Sequence, residues 1–275
     1  MVCSIERSTL LPDPFTAIVL AAQRAGEVNP LAQQFGVSHK CLVPVAGEPL
    51  IRHVVRALAA SPGLQEVRIS VEPEVVPQVT AVLAGIAPQV VYIPSADNLA
   101  DSVYACAQDT QPPLLITTAD NVLLTPHSVA TILGALHNAD GALALATRHS
   151  VLAAHPDGQR RFYRFADDHY SNCNLYAIAG RQALRLVESF RTGGQFKKNP
   201  RRLIMTLGPL NLLLLLWHRL SLRGAARRIS RRFGVELAAV VLGDGSQAID
   251  VDNLRSRDVA EQLLTRGAQG STKAA

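Results

Sequence analysis

Cysteine is scarce in this 275-residue chain, and its four cysteines are scattered. Cys3, Cys41, Cys106 and Cys173 form no C-x-x-C pair, which argues against a disulfide framework and against a zinc site. Residues 1–14 carry charges and no long apolar core, so we see no secretory signal. Free thiols without a signal predict a cytoplasmic protein.

Charge is also sparse, at 18% of the residues against 48% hydrophobic, which is typical of a globular chain and excludes disorder. Acidic residues are missing altogether from residues 189–235, which hold eleven of the 27 lysines and arginines. The remainder has sixteen basic and 22 acidic residues. Because one segment carries the whole basic excess, we expect a local anionic partner and no nucleic acid.

The chain lacks an apolar run of the ~20 residues that a membrane-spanning helix needs. Its most apolar stretch, residues 203–217, is shorter and is interrupted by Gly208-Pro209. Dense positive charge on both sides is typical of a segment that lies in a membrane interface against anionic headgroups, here at the inner membrane face. Two other interpretations stay open: a helical hairpin over the active site whose arginines bind a phosphorylated substrate, and a core or homodimer helix with a solvated basic flank.

Short apolar runs alternate with amphipathic segments through the first half of the chain. The pattern predicts strands at 17–22, 67–71, 90–93, 114–118 and 141–147, and helices at 50–60, 74–84, 98–108 and 125–138. Thr125-Pro126 is typical of a helix N-cap followed by proline at the first helical position. Such alternation predicts an α/β fold, a Rossmann-like, mostly parallel sheet with helices on both faces.

The alternation breaks after His149. We predict antiparallel pieces at 162–165 and 171–178, a helix at 181–190, strands at 235–242 and 248–251, and a closing helix at 256–266. The predicted organisation is an N-terminal extension (1–14), a single domain (15–266) with a basic apolar helical insertion at about 191–233, and a disordered tail (267–275).

A long loop follows the first strand and contains Arg24, Gly26, Gly36 and Lys40. Long loops in compact domains are usually functional, and loops at the carboxyl ends of strands in open α/β sheets bind ligands. Basic side chains and glycines at that place predict a polyanionic ligand, most simply a nucleoside triphosphate.

This region resembles a known enzyme family. The apolar strand, then Leu20-Ala21-Ala22, a basic loop and the pattern K-x-L-x-P-x-x-G-x-P-L-I from Lys40 resemble the MobA-like nucleotidyltransferases, typified by the molybdenum-cofactor guanylyltransferase and the methylerythritol-phosphate cytidylyltransferase. The family loop usually reads G-x-G-x-R, and this chain departs from it with Gln23-Arg24-Ala25-Gly26. The resemblance implies the nucleotide-diphospho-sugar transferase type of fold. It also implies that Leu20, Ala21 and Ala22 bind the nucleotide and that Arg24 and Lys40 bind its phosphates and act in catalysis.

Asp120 directly follows the apolar strand at 114–118, so it should project from the carboxyl edge of the sheet beside the loop. The string TTADNVLLTP resembles the family element whose aspartate binds the Mg²⁺ held on the triphosphate, with Ala119 at the nucleotide. Magnesium prefers one or two carboxylates plus phosphate oxygens and water. The alternative is that Asp120 only caps a turn.

Asp250 and Asp252 form a second carboxylate set. In extended backbone, alternation puts both on one face with Val251 opposite, and there they repel unless a cation or a basic group neutralises them. The string resembles a late element of the family, which implies Asp252 as the second metal ligand, and Asp250 is a further candidate metal ligand. The alternative is an exposed pair leading into a helix.

Two further pairs are candidates for substrate contacts. The resemblance implies that Asn98 and Ser102, at a helix start, contact the base or ribose, and the alternative is an ordinary capped helix. Asn172 and Asn174, two apart on one strand face, are candidates for binding the acceptor.

These residues predict a Mg²⁺-dependent nucleotidyltransferase that moves NMP from CTP or GTP to a small phosphorylated acceptor, such as a lipid-headgroup precursor, and releases pyrophosphate. One alternative is a GT-A-like glycosyltransferase that uses Asp250-Val251-Asp252 as a metal-binding D-x-D. The other is a catalytically degenerate, membrane-associated scaffold.

Overall fold

The computed structural model describes residues 13–23, 29–86, 89–190 and 219–272. Its strands are β1 (Phe15–Leu20), β2 (Pro44–Val45), β3 (Glu48–Pro49), β4 (Leu64–Val71), β5 (Gln89–Pro94), β6 (Leu114–Thr118), β7 (Gly141–Thr147), β8 (Tyr163–Arg164), β9 (His169–Ile178) and β10 (Leu237–Leu242). Its α-helices are α1 (Pro30–Gln34), α2 (Leu50–Ala59), α3 (Val76–Leu83), α4 (Leu99–Ala107), α5 (Pro126–Gly134), α6 (Arg148–Ala154), α7 (Leu222–Phe233) and α8 (Leu254–Thr272).

One mixed sheet organises the fold, in the order β10-β7-β9-β6-β1-β4-β5, with β8 paired to β9. The pairs β1–β4, β1–β6, β4–β5 and β10–β7 are parallel, whereas β9 runs antiparallel to both neighbours. The predicted Rossmann-like, mostly parallel sheet is therefore confirmed, and β9 joins its two parallel halves.

Helices cover both faces of the sheet because the central strands are apolar on both sides. In β1, Ala17 and Val19 belong to the core beneath α2, α3, α5 and α8, whereas Ile18 belongs to the opposite core beneath α4 and α7. All three side chains are fully buried. In open α/β sheets of this kind, ligands bind in the crevice outside the carboxyl ends of the strands, so the end of β1 is the place to look for a site.

The predicted strand at 248–251 is wrong. A 3₁₀ helix, Gly245–Ala248, is followed by irregular backbone that crosses the end of β6, where the Val251 N–H donates to the Asp120 carbonyl at 3.2 Å. Gly245 allows this path because a Cβ there would lie 2.1 Å from the Ser150 carbonyl carbon and 2.2 Å from the Val151 nitrogen. The packing of α6 therefore fixes the course of residues 249–253.

Other differences concern helices. The sequence analysis missed α6, whose N-cap Thr147 accepts a hydrogen bond from the Ser150 N–H, and the predicted helix at 181–190 is a 3₁₀ helix. The closing helix α8 continues to Thr272, six residues beyond its predicted end and into the segment for which disorder was predicted.

The apolar core of the predicted insertion lies in residues 191–218, outside the described residues. Its basic end forms α7, which buries Leu222, Ala225 and Ala226 and packs on β10. No helix in the described part of the chain is long and apolar enough to cross a membrane.

Candidate active site

The carboxyl ends of β1 and β6 lie side by side at the centre of the sheet. The Ala119 N–H donates to the Leu20 carbonyl at 3.0 Å, and the Ala21 N–H donates to Ser70 of β4 at 2.9 Å. Ala21 and Ala119 are buried, whereas Ala22 is exposed. The predicted nucleotide-binding residues of β1 therefore border the same edge as Ala119, and Arg24 lies outside the described residues.

Lys40 bridges two carboxylates that are far apart in sequence. It starts a 3₁₀ turn whose next two residues, Cys41 and Leu42, are buried and anchor the turn. Its ammonium donates a short hydrogen bond to Asp120 Oδ2 and a second one, of 2.6 Å, to Asp252 Oδ1. Three residues that the sequence analysis selected separately are thus brought together.

The charges in this cluster stabilise one another. Burial of Asp120 acts to raise its pKa, but Lys40 and the Thr118 hydroxyl, which donates to Asp120 Oδ1, hold the pKa below its usual value. Burial acts to lower the pKa of Lys40, but Asp120 and Asp252 raise it. Lys40 and Asp120 are therefore both ionised at neutral pH. Thr118 was missed by the sequence analysis, although its position before Asp120 at the end of a strand was a usable signal.

Asp252 and Asp250 lie on the loop that crosses β6. Asp252 is held by its backbone, because its N–H donates to Ser256 Oγ at 2.9 Å, and Asn253 caps α8 through Ser256. Asp250 interacts with Asn174, which donates a hydrogen bond to its carboxylate. Burial raises the pKa of Asp250 well above its usual value, and the charges of Asp120 and Asp252 add to this.

Asp120 and Asp252 suit a magnesium ion. Among the described residues, no three carboxylate, histidine or cysteine side chains are close enough together to hold a metal by themselves. Mg²⁺ on a triphosphate needs only one or two carboxylates, because phosphate oxygens and water complete its shell. A cation, the Lys40 ammonium, already lies between Asp120 and Asp252. The pair therefore fits the ion.

Asn98 and Ser102 fix the loop that leads into α4. Asn98 Oδ1 accepts from the Asp101 N–H at 3.0 Å as the N-cap, and its Nδ2 donates to Asp101 Oδ2 at 2.7 Å. Ser102 is buried, and its hydroxyl accepts from the Ala96 N–H at 3.0 Å. In this structure both side chains order the loop.

Asn172 and Asn174 lie beside Asp120 because β9 is antiparallel to β6. Asn172 Nδ2 donates to Asn174 Oδ1 at 2.8 Å and to Tyr176 Oη at 2.6 Å. Burial raises the pKa of Tyr176, so its hydroxyl stays neutral. Sequence analysis missed Tyr176, and its i+4 position from Asn172 on one strand face was the available signal.

Residues 17–207 match the sequence profile of the MobA-like NTP transferase domain. No protein of curated function matches the chain in sequence. A hypothetical transferase from Thermus thermophilus superposes with a TM-score of 0.71 at 26% identity, covering 89% of this chain and 99% of its own.

Two further solved structures share the fold at lower identity. The 4-diphosphocytidyl-2C-methyl-D-erythritol synthase of Anaerococcus prevotii gives a TM-score of 0.58 at 10% identity over 93% of this chain and 97% of its own. A CMP:2-keto-3-deoxy-manno-octonic acid synthetase complexed with CTP gives a TM-score of 0.57 at 13% identity, over 93% of this chain and 100% of its own. The profile match covers more than half of the chain and therefore decides family membership.

Proposed function

Because the chain belongs to the MobA-like NTP transferase family, and is therefore a nucleotidyltransferase, we propose that it moves NMP from CTP or GTP to a small phosphorylated acceptor. The observation that carries this proposal is the Lys40 ammonium between Asp120 and Asp252 at the carboxyl edge of the sheet. CTP is favoured over GTP because a structural neighbour was solved with CTP. Family membership argues against both alternatives, the GT-A-like glycosyltransferase and the catalytically degenerate, membrane-associated scaffold.

In the proposed reaction an oxygen of the acceptor phosphate attacks the α-phosphorus of the NTP. A new P–O bond forms, the bond from the α-phosphorus to the oxygen bridging to the β-phosphate breaks, and pyrophosphate leaves with that electron pair. The attacking phosphate is already ionised, so no protein base is needed. Alignment and charge neutralisation supply most of the catalysis in such a transfer.

The chain's own residues then have distinct roles. Asp120 and Asp252 would hold the Mg²⁺, which neutralises phosphate charge when bound. Lys40, freed from the carboxylates by the metal, would pair with the phosphate oxygens on which charge develops, and Arg24 would join it. Ala21, Ala22, Ala119 and the loop before Ser102 would border the nucleotide.

The basic surface suggests where the acceptor comes from. Arg223, Arg227 and Arg231 are exposed at i, i+4 and i+8 on α7, and Arg232 and Arg219 lie next to this stripe. We propose that this face binds anionic lipid headgroups at the inner membrane face, which suits a lipid-headgroup precursor as acceptor. Binding of a second copy is the other proposed use of this face.

Nucleotide-dependent thermal stabilisation tests the donor half of the proposal. The wild type should gain several degrees with CTP or GTP only when Mg²⁺ is present, because binding to the folded state alone stabilises it. Asp120→Asn should lose this gain. The matched control Asp258→Asn removes an exposed carboxylate whose ion pair in the described part of the chain is with Arg257, and this variant should keep the stabilisation. Equal stabilisation of Asp120→Asn and wild type would contradict the proposal.

A further inference from the structure

Two buried oxygen atoms beside the lysine–carboxylate cluster have no hydrogen-bond partner. They are Asp250 Oδ1 and Asn172 Oδ1, and within the described ranges no donor reaches either of them. A buried acceptor without a donor costs about 1–3 kcal/mol, and native proteins keep few of them. Two such atoms in one place point to a ligand that brings the donors.

Asn174 connects the two residues that carry these atoms. It donates to the Asp250 carboxylate, and its own Oδ1 accepts from Asn172 Nδ2 at 2.8 Å. Asn174 has a φ of 47°, in a bulge where β9 gains two residues relative to β7 between the pairs Leu143–Tyr176 and Leu145–Asn172. Bulges re-aim side chains next to active sites, and this one brings Asn174 to Asp250.

The chemistry of the two atoms selects the ligand. Carboxylate and amide oxygens accept hydrogen bonds, so they suit hydroxyl or ammonium groups. A phosphate at this place would lie near the carboxylates of Asp120 and Asp252, and Lys40 already donates hydrogen bonds to both of them. A hydroxyl or ammonium group therefore suits this end of the site better than a phosphoryl group.

We propose that Asp250 and Asn172 form a specificity subsite that binds hydroxyl or ammonium groups on the acceptor, next to its reacting phosphate. This inference rests on the proposed function and deepens it, since it requires that the acceptor carry hydrogen-bond donors in addition to its phosphate. It also assigns Asp250 to the acceptor and leaves the metal to Asp120 and Asp252.

Three phosphates that differ in one group test the subsite. Glycerol 3-phosphate offers hydroxyls, ethanolamine phosphate offers an ammonium, and ethyl phosphate offers neither. With CTP or GTP and Mg²⁺, pyrophosphate release should show kcat/KM at least about tenfold higher for one of the first two than for ethyl phosphate, because sites built for a donor discriminate against its absence. The better of the two tells a hydroxyl subsite from an ammonium subsite.

Variants separate this role from metal binding. Asp250→Asn should reduce the kcat/KM preference for the better acceptor over ethyl phosphate to less than about threefold. It should leave the Mg²⁺-dependent nucleotide stabilisation intact. If Asp250→Asn fails to fold, Asn172→Ala should give the same two results. Asp258→Asn, an exposed carboxylate variant, should change neither quantity.

Three results would overturn the inference: loss of nucleotide stabilisation in Asp250→Asn, equal use of ethyl phosphate, or no pyrophosphate release with any of the three compounds while nucleotide still stabilises the wild type. The last result leaves the nucleotide half of the proposed function standing. Absence of any nucleotide stabilisation would overturn both.

Discussion

Lys40 forms its ion pairs with the same two carboxylates that are proposed to bind the metal. While its ammonium lies between Asp120 and Asp252, a free metal ion must displace it. A metal that arrives on a triphosphate brings an anion to which the lysine can move. The arrangement therefore favours the metal–nucleotide complex over the metal alone.

Replacing this lysine should expose the metal site. Lys40→Met should bind Mn²⁺ without nucleotide at least about tenfold more tightly than the wild type. A tenfold change corresponds to about 1.4 kcal/mol, which is less than the free energy that a buried ion pair of this kind loses when it is broken. The variant should also be less stable without metal and recover stability with it, because an unpaired buried carboxylate remains. Mn²⁺ titration followed by electron paramagnetic resonance measures the affinity.

The double variant Lys40→Met/Asp120→Asn is the control. It removes the carboxylate that the lysine leaves unpaired, so it should regain stability without metal and lose the new Mn²⁺ affinity. Unchanged Mn²⁺ affinity in Lys40→Met would contradict the displacement by lysine.

Asp250 should make stability depend on pH. Its folded-state pKa lies well above the usual 3.8, first because of burial and then because of Asp120 and Asp252. The folded state therefore holds this proton more tightly than the unfolded state, and Asp250 destabilises the fold as pH rises from 3.8 through its folded pKa. Asp250→Asn removes that cost.

Urea unfolding in EDTA measures the effect. The stability gain of Asp250→Asn over the wild type should be near zero at about pH 4 and grow by about 1.4 kcal/mol for each unit by which the folded pKa exceeds the unfolded one, until it levels off. A gain that is constant with pH would contradict this account.

At the scale of elements, α7 combines a buried apolar side with an arginine stripe. The variant Arg223→Gln/Arg227→Gln/Arg231→Gln should lose most of its binding to vesicles that contain anionic phosphatidylserine, since each basic residue near such a surface contributes about 1 kcal/mol. Co-sedimentation with these vesicles measures it. The buried residues of α7 are untouched, so the fold should persist.

A second triple variant controls for charge. Arg160→Gln/Arg161→Gln/Arg164→Gln removes the same charge from exposed arginines near β8 and should keep vesicle binding. Equal binding by both variants would show that net charge, and not the face of α7, attracts the lipid.

The elements that sequence predicted well are those with local signals. The strand at 114–118 and the Thr125 cap of α5 were predicted as found, because an apolar run and a Thr-Pro pair are local. The loop at 249–253 was predicted as a strand, because its path depends on Gly245 packing against α6, which no local pattern reveals. The link between Asn174 and Asp250 was likewise missed, since it needs a bulge in β9.

At the scale of the whole molecule, the sequence analysis grouped Asp120 and Asp252 at one metal but did not predict that Lys40 contacts both carboxylates. Lys40, Asp120 and Asp252 were each indicated by the family resemblance, and the structure joins them through one ammonium. Spacing along the chain gave no sign that Asp250 bonds to Asn174 whereas Asp252 bonds to Lys40. That distinction depends on three chain segments meeting at one sheet edge.

Lys40 and Asp252 are 212 residues apart in sequence, so the site can be completed only late in synthesis. At ~5–20 residues per second, Asp252 is made roughly 7–26 s after Asp120. Throughout that interval the chain on the ribosome has the lysine and one carboxylate but lacks the crossing loop whose Val251 N–H donates to the Asp120 carbonyl. The two-carboxylate site therefore forms only in chains that have been translated beyond Asp252.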